Sequence, residues 1–219
     1  MHAAQEMGGR ADGLRLAELL ATRLCHDLSG PLSGLLAALG EARADPQALP
    51  LAAEAARVMR QRLALLRAAW GDPAALPAGG LQGLAAGLPR AERLRLELAG
   101  PLALAVLPPL VGRLLLNALL LAAESLPRGG DMTLEGDPHA TVVLGIDADG
   151  AAWPAGLAEM LADPDAAWRC VAAGGRGGRQ QAALTALLAA QAGARVRLLL
   201  GPAGEAAAPI LFDLSAVAG

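Results

Sequence analysis

Leucines recur in steps of three and four residues between Leu14 and about Arg43, which is the spacing of one face of a long α-helix. A second run with the same spacing extends from Leu51 to Trp70, and the turn-forming segment at 44–50 separates the two runs. Two long helices joined by a short turn form an antiparallel hairpin. A hairpin alone cannot cover two apolar stripes, so we expect it to pair with a second copy as a four-helix bundle.

The pattern changes after GDPAALPAGG at 71–80, a segment rich in proline and glycine that marks a domain boundary. Short helices and strands follow it, and their order predicts an α+β sandwich with helices on one face of a mixed sheet. The predicted elements are helices at 81–87, 108–125 and 179–192, and strands at 93–98, 102–106, 132–136, 141–146, 194–200 and 208–214. The chain therefore divides into a flexible tail at 1–12, a helical hairpin at 13–72 and an α/β domain at 78–219.

Charge and composition exclude several classes of protein. A net charge of -3 argues against nucleic acid or an anionic membrane surface as the main partner, and with 2% aromatic residues the chain lacks surfaces for base stacking. No uninterrupted apolar stretch reaches about 18 residues, and the first residues lack the pattern of a signal peptide. Cys25 and Cys170 have no metal-ligand spacing and suit a reducing compartment. We therefore expect a cytoplasmic protein without a membrane span or a metal site.

His26 lies within the first leucine-rich run and is one of three histidines in the chain. On a helical wheel it falls opposite the leucine stripe, so its imidazole is expected to face solvent. The same side of the helix carries mostly small or polar residues, on which another protein could come close to the imidazole. These residues are Thr22, Arg23, Ser29, Gly30, Ser33 and Ala37. An exposed histidine without any function would fit the wheel equally well.

Pro31 stands in the middle of the same predicted helix. A proline there removes a backbone donor and leaves the carbonyl group of Asp27 without its helical partner, which costs about 3 kcal/mol. The sequence therefore predicts a bend one turn after His26 and Asp27, as a functional site could require. The bend could instead only let a long helix follow its partner.

The segment HDLSGPL at 26–32 resembles the H-box of two-component histidine kinases, in which a histidine, an acidic residue and a proline–leucine pair occur in this order. The rest of the chain is similar to these kinases in the order of its elements. Residues 113–134 stand in place of the N-box helix and the next strand, and residues 174–198 in place of the G2 box. The resemblance implies a dimerisation and phosphotransfer hairpin followed by a domain like the kinase ATPase domain.

The nucleotide site departs from the kinase pattern. Asn117 keeps one of the two N-box asparagines, whereas Arg113 replaces the other, and the polar–aromatic pair that follows is replaced by leucines. Ala148 stands where the aspartate that binds adenine is expected. A vestige of the site is expected near Asn117, Asp149, Gly175 and Gly177. We therefore expect no bound cofactor and no autokinase activity.

An intact H-box beside a degraded nucleotide site resembles the ChpT-type histidine phosphotransferases of alphaproteobacteria. The resemblance covers roughly residues 14–214, and RLCHDL at 23–28 and NALLLAAESLPRGG at 117–130 look like that family's pattern. It implies that His26 takes a phosphoryl group from the aspartate of one receiver domain, holds it as phosphohistidine and passes it to another. The receivers of a hybrid kinase and of response regulators would be the partners, and they would supply Mg²⁺ themselves.

The resemblance also implies roles for two neighbours of His26. Asp27 would accept a hydrogen bond from the second ring nitrogen and so fix the tautomer. Arg23 could pair with the phosphoryl group, or could only form a surface ion pair with Asp27 one turn away. Two other functions stay open at this point: a soluble histidine kinase with an unusual ATP site, and a non-catalytic dimeric adaptor that uses the bundle for docking.

Overall fold

The protein begins with a hairpin of two long helices, as the leucine spacing predicts. In the computed structural model, residues 2–42, 45–175, 178–199 and 207–217 are described, with side chains from residue 12 onward. Helix α1 spans His2–Ala42 and helix α2 spans Leu49–Trp70. A short 3₁₀ turn connects them, and the carboxylate of Asp45 caps that turn by accepting a hydrogen bond of 2.9 Å from the backbone of Gln47.

Helix α1 starts earlier than the sequence predicts. It begins at His2, so residues 2–12, which we expected to form a flexible tail, are helical. Alanine, glutamine, glutamate and methionine in this segment are good helix formers and extend the helix backward, although two glycines oppose it. Arg43, the expected end of the helix, lies outside the described residues.

The described part of the chain contains five strands, which form one mixed sheet in the spatial order β1–β2–β3–β5–β4. The strands are β1 at Leu94–Ala99, β2 at Gly130–Gly136, β3 at Thr141–Asp147, β4 at Arg195–Leu198 and β5 at Ile210–Asp213. β1 and β2 are parallel, and the other neighbours are antiparallel. A parallel pair needs a crossover connection, and a helix supplies it here. Buried residues alternate along β2 and β3, so one face of the sheet packs against helices.

The crossover helix α4 lies at the centre of the α/β domain. The helices of this domain are α3 at Gly80–Ala85, α4 at Pro109–Glu124, α5 at Leu157–Ala162, α6 at Pro164–Ala172 and α7 at Arg179–Ala192. Twelve of the 16 residues of α4 are buried. A helix that is apolar on nearly all sides is expected to be covered on nearly all sides. This arrangement confirms the α+β fold class.

Two local predictions differ from the structure. The segment at 102–106 is not a strand: a 3₁₀ turn covers Gly100–Ala103 with Pro101 near its start, and only Leu107 forms an isolated bridge, to Leu76. Proline lacks the N–H group that a strand would donate, which favours the turn. The region between β3 and α7, for which the sequence gives no clear pattern, contains the short helices α5 and α6.

One hydrophobic core joins the hairpin to the sheet. Leu65, Leu66 and Ala69 of α2 belong to the same buried cluster as α4 and the strands. The other end of the hairpin has large apolar side chains that are 38–62% exposed. They are Leu32, Leu36, Leu39, Leu49, Leu51, Val58 and Leu63. No described helix is both long enough and apolar enough to span a bilayer.

Candidate functional site

His26 lies in the middle of α1, and 87% of its side chain is exposed. This agrees with the position opposite the leucine stripe that the helical wheel predicts. The small and polar residues expected around it are exposed as well: Thr22, Ser29, Gly30, Ser33 and Ala37. Helix α1 continues through Pro31 as one helix, and the predicted bend stays a prediction. The imidazole is therefore open to the approach of another molecule.

Asp27 lies on the other side of α1 from solvent, with only 15% of its side chain exposed. Its Oδ2 accepts a hydrogen bond of 2.6 Å from Nη2 of Arg62 on α2. Its Oδ1 lies 3.4 Å from Nδ1 of His26, which is a long contact that a small movement of the ring would shorten. The carboxylate is thus held in place while it faces one of the two ring nitrogens, Nδ1.

Arg62 holds Asp27, and the sequence interpretation missed it. It is 8% exposed, and its Nη1 donates a hydrogen bond of 2.9 Å to the carbonyl oxygen of Gly87. A Cβ atom at Gly87 would lie 2.3 Å from the carbonyl oxygen of Gln61, so this turn reaches α2 only because the residue is glycine. Burial lowers the pKa of Arg62, and the charge of Asp27 opposes that effect.

A signal for Arg62 exists in the sequence. Arg62 stands three residues before Leu65 and four residues before Leu66, and both leucines are core residues of α2. Side chains at this spacing share a helix face, so Arg62 is a charged residue on an apolar face. A buried arginine needs an acidic partner, and this requirement points back to the opposite helix.

Arg23 is not the surface residue that the sequence predicts. Only 11% of its side chain is exposed, because α4 and α7 of the α/β domain cover it. Its Nη2 pairs with Glu124, its Nη1 donates a hydrogen bond of 2.9 Å to Oε1 of Gln181, and its guanidinium lies 5.4 Å from the ring centre of Trp70. The ion pair with Asp27, the alternative role for Arg23, is present at 3.6 Å, but its side chains are only 11% and 15% exposed, so it is not a surface pair. A helical wheel cannot show this, since it describes one helix without its neighbours.

Glu124 supplies the negative charge that accompanies Arg23. It lies at the last position of α4, and 21% of its side chain is exposed. Burial raises the pKa of Glu124, and the ion pair with Arg23 acts in the opposite direction. Since Arg23 precedes His26 by about one helical turn, this pair ties α1 to the α/β domain close to the histidine.

Asn117, which we expected near a vestigial ATP site, is a buried structural residue. It is 0% exposed, and its Nδ2 donates hydrogen bonds of 2.9 Å to the carbonyl oxygens of Ala69 and Arg113. Its Oδ1 accepts hydrogen bonds from Trp70 at 3.1 Å and from Gln181 at 3.0 Å. The carbonyl of Ala69 belongs to the last turn of α2, where helical partners are missing. The asparagine therefore fixes the end of the hairpin on α4 and α7.

The other residues expected near that vestige are dispersed. Asp149 is exposed in the turn after β3, and Gly177 lies outside the described residues. Gly175 is buried beside α1, where it lines a cleft that also contains His26. Among the described residues, no group of three histidine, cysteine, aspartate or glutamate side chains is placed to hold a metal ion.

Among the described residues, two clefts flank His26. The first has a volume of about 580 Å³ and lies between α1 and the start of α7, with Gly175 and Gln180 in its wall. The second has a volume of about 300 Å³ and lies between α1, α2 and the turn after α3. Arg90 lines both of them. The exposed imidazole thus stands between two concave surfaces that the α/β domain helps to form.

Comparisons with known proteins identify similar chains. A family model described as the histidine phosphotransferase C-terminal domain matches residues 78–203. Protein phosphotransferase ChpT of Brucella abortus (strain 2308) is 33% identical over 143 residues, which are 60% of this chain and 68% of that protein. A solved structure of a bacterial phosphotransferase has a TM-score of 0.65 and 24% identity, and the match covers 91% of this chain and 95% of the other. At that identity the structural match supports the fold alone.

Proposed function

The chain belongs to the histidine phosphotransferase family, and we propose that it relays a phosphoryl group between receiver-domain aspartates through phosphohistidine at His26. The family and the phosphotransferase activity that the H-box indicates are confirmed. The family match at 78–203 does not include His26, so the assignment of the reacting residue rests on the structure around it. The observation that carries it is an 87% exposed imidazole beside a carboxylate that is held in place.

In the proposed reaction, the lone pair of Nε2 of His26 attacks the phosphorus atom of an aspartyl phosphate. The new N–P bond forms while the P–O bond to the aspartate breaks, and its electron pair leaves on the carboxylate oxygen. The proton on Nδ1 stays on the ring, where the carboxylate of Asp27 stabilises the positive charge that the ring acquires. The reverse sequence of bonds passes the group to a second receiver.

Asp27 selects the reacting nitrogen in this proposal. Its Oδ1 faces Nδ1 at 3.4 Å, which favours the tautomer with the proton on Nδ1 and leaves Nε2 as the nucleophile. Arg62 fixes the carboxylate through Oδ2 at 2.6 Å, so that Oδ1 stays directed at the ring. Both therefore act by positioning His26.

Arg23 also acts by position in this proposal. Its two Nη atoms are engaged with Glu124 and Gln181, and a bond to a phosphoryl group would require it to leave one of them. We assign it the task of holding the His26 segment of α1 against the α/β domain. Autokinase activity is not included in the proposal, because the N-box residue Asn117 is taken up by four hydrogen bonds within the fold.

The proposed assembly is a homodimer that binds receiver domains. The exposed leucines at 32, 36 and 39 follow steps of four and three residues and therefore lie on one face of α1, which a second copy would cover as a four-helix bundle. Receiver domains of a hybrid kinase and of response regulators would dock on the exposed face of Thr22, Ser29, Gly30, Ser33 and Ala37. Each receiver would bring its own Mg²⁺, so the chain would need no cofactor.

The test is to mix the protein with a receiver domain that carries a labelled phosphoryl group. We expect acid-labile, base-stable label on the wild-type chain and none on His26→Gln, which keeps the size and polarity of the side chain. The matched control is His139→Gln, since His139 is also exposed but lies in the turn between β2 and β3. Label that persists in His26→Gln, or that disappears in His139→Gln, would show that another residue reacts.

A further inference from the structure

Arg90 has an unusual backbone conformation. With φ 56° and ψ 36° it is the one non-glycine residue at positive φ in the described part of the chain. Side chains with a Cβ atom are strained in this left-handed region, and such strain persists where the surrounding structure enforces it, often at functional sites. Arg90 lies in the turn between α3 and β1, directly after Pro89.

The charge of Arg90 is available beside His26. Arg90 lines both clefts that flank the histidine, and within the described residues its side chain makes no ion pair and no hydrogen bond. The two other arginines that line these clefts among the described residues are already engaged. Arg23 contacts Glu124 and Gln181, and Arg62 contacts Asp27 and the turn after α3.

Gln180, in the wall of the larger cleft, carries a second donor without a described partner. Its Nε2 is buried and has no hydrogen-bond partner among the described residues. A buried amide group without a partner is unfavourable, and this calls for an acceptor beyond those that the described residues supply. Gln180 lines the same cleft as His26 and Arg90. Glu124 lines it too, but its charge is paired with Arg23 and leaves that of Arg90 in excess.

We propose that Arg90 and Gln180 form the phosphoryl-binding site of His26, and this inference rests on the proposed function. Both side chains donate hydrogen bonds to oxygen atoms of the phosphoryl group that the imidazole carries. The planar guanidinium matches two oxygens of such a group, and its charge offsets the negative charge that the group brings into the cleft. The same interaction stabilises the group while its bond to nitrogen forms or breaks.

The site is tested with phosphoramidate, a small phosphodonor that needs no receiver domain. Its N–P bond breaks, ammonia leaves with the electron pair, and the phosphoryl group bonds to the histidine nitrogen. With the full chain, we expect Arg90→Met to lower the second-order rate constant of labelling about 10- to 100-fold, as for the loss of a charge-assisted hydrogen bond. Arg90→Lys keeps the positive charge but lacks the planar guanidinium that can bond two oxygens at once, so it should recover part of the rate constant. Gln180→Leu should lower it about 3- to 10-fold.

Two controls separate the site from the fold. Arg93→Met changes an arginine three residues away that is 63% exposed and pairs with Glu92, and it should react like the wild type. Arg90→Gly removes the side chain at a position whose backbone conformation glycine adopts without strain. Its melting temperature should therefore lie within a few degrees of that of the wild type, while the rate constant of labelling still falls.

The outcomes distinguish this inference from the proposed function. If the wild type is labelled at His26 and Arg90→Met reacts at the same rate, the binding site is wrong and the function stands. A wild type that is labelled by neither phosphoramidate nor a receiver domain overturns both. If Arg93→Met lowers the rate constant as much as Arg90→Met does, the effect is a general one of charge. That result would also overturn the proposed binding site.

Discussion

The ion pair between Arg62 and Asp27 is expected to be a major source of coupling between the two helices of the hairpin. Arg62→Met keeps most of the aliphatic stem of the side chain but leaves Asp27 without the donor at 2.6 Å. Breaking a buried pair from one side costs about 3–5 kcal/mol. The side chain of Asp27 is 15% exposed and Arg23 lies 3.6 Å away, so we expect a value at or just below the lower end of this range, about 2–3 kcal/mol.

A double-mutant cycle isolates the pair. The free energy of unfolding is measured by urea denaturation for Arg62→Met, Asp27→Leu and the double variant, with the m-value checked for each. We expect the double variant to lose about 1–3 kcal/mol less than the sum of the single variants. Arg60→Met is the matched control, since Arg60 is exposed on the same helix. Additivity within about 0.5 kcal/mol would refute the reasoning that the two side chains stabilise each other.

Three further predictions concern other contacts of the site. Asn117→Ala should lower the free energy of unfolding by about 2–4 kcal/mol, because it leaves buried partners unsatisfied; calorimetry measures this. Burial raises the pKa of Glu124, so the contribution of this residue to stability is present at low pH and is lost as pH rises through the folded-state pKa. Urea titrations at several pH values should show that Glu124→Gln flattens this region of the stability–pH curve. Leu36→Glu should convert the proposed dimer into a monomer in sedimentation experiments, because a glutamate at a 62% exposed apolar position would be buried in the bundle.

Local and periodic features of the fold could be predicted from the sequence. The spacing of leucines in α1 and α2 predicts the hairpin, and the outward position of His26 follows from the same spacing. The helix at Arg179–Ala192 has the bounds that the sequence predicts, since a glycine stands at each of its ends. These features depend on residues that are close together in the chain.

Contacts between distant segments could not be predicted in this way. Arg23 meets Glu124 and Gln181, which follow it by 101 and 158 residues, so a wheel of α1 places it in solvent although α4 and α7 cover it. Asn117 matches a kinase motif in sequence, but its partners are backbone and side-chain groups of other helices. A motif defines which residue is present, whereas the packing of neighbouring elements decides what that residue contacts.

The central claim is that His26 passes a phosphoryl group from one receiver domain to another. The direct measurement follows labelled phosphate from a phosphorylated receiver to a second, unlabelled receiver in the presence of the full chain. Label is expected to appear briefly on the chain and then on the second receiver. His26→Gln should abolish both events, and His139→Gln should leave them unchanged. Label that reaches the second receiver at the same rate with His26→Gln would contradict the account.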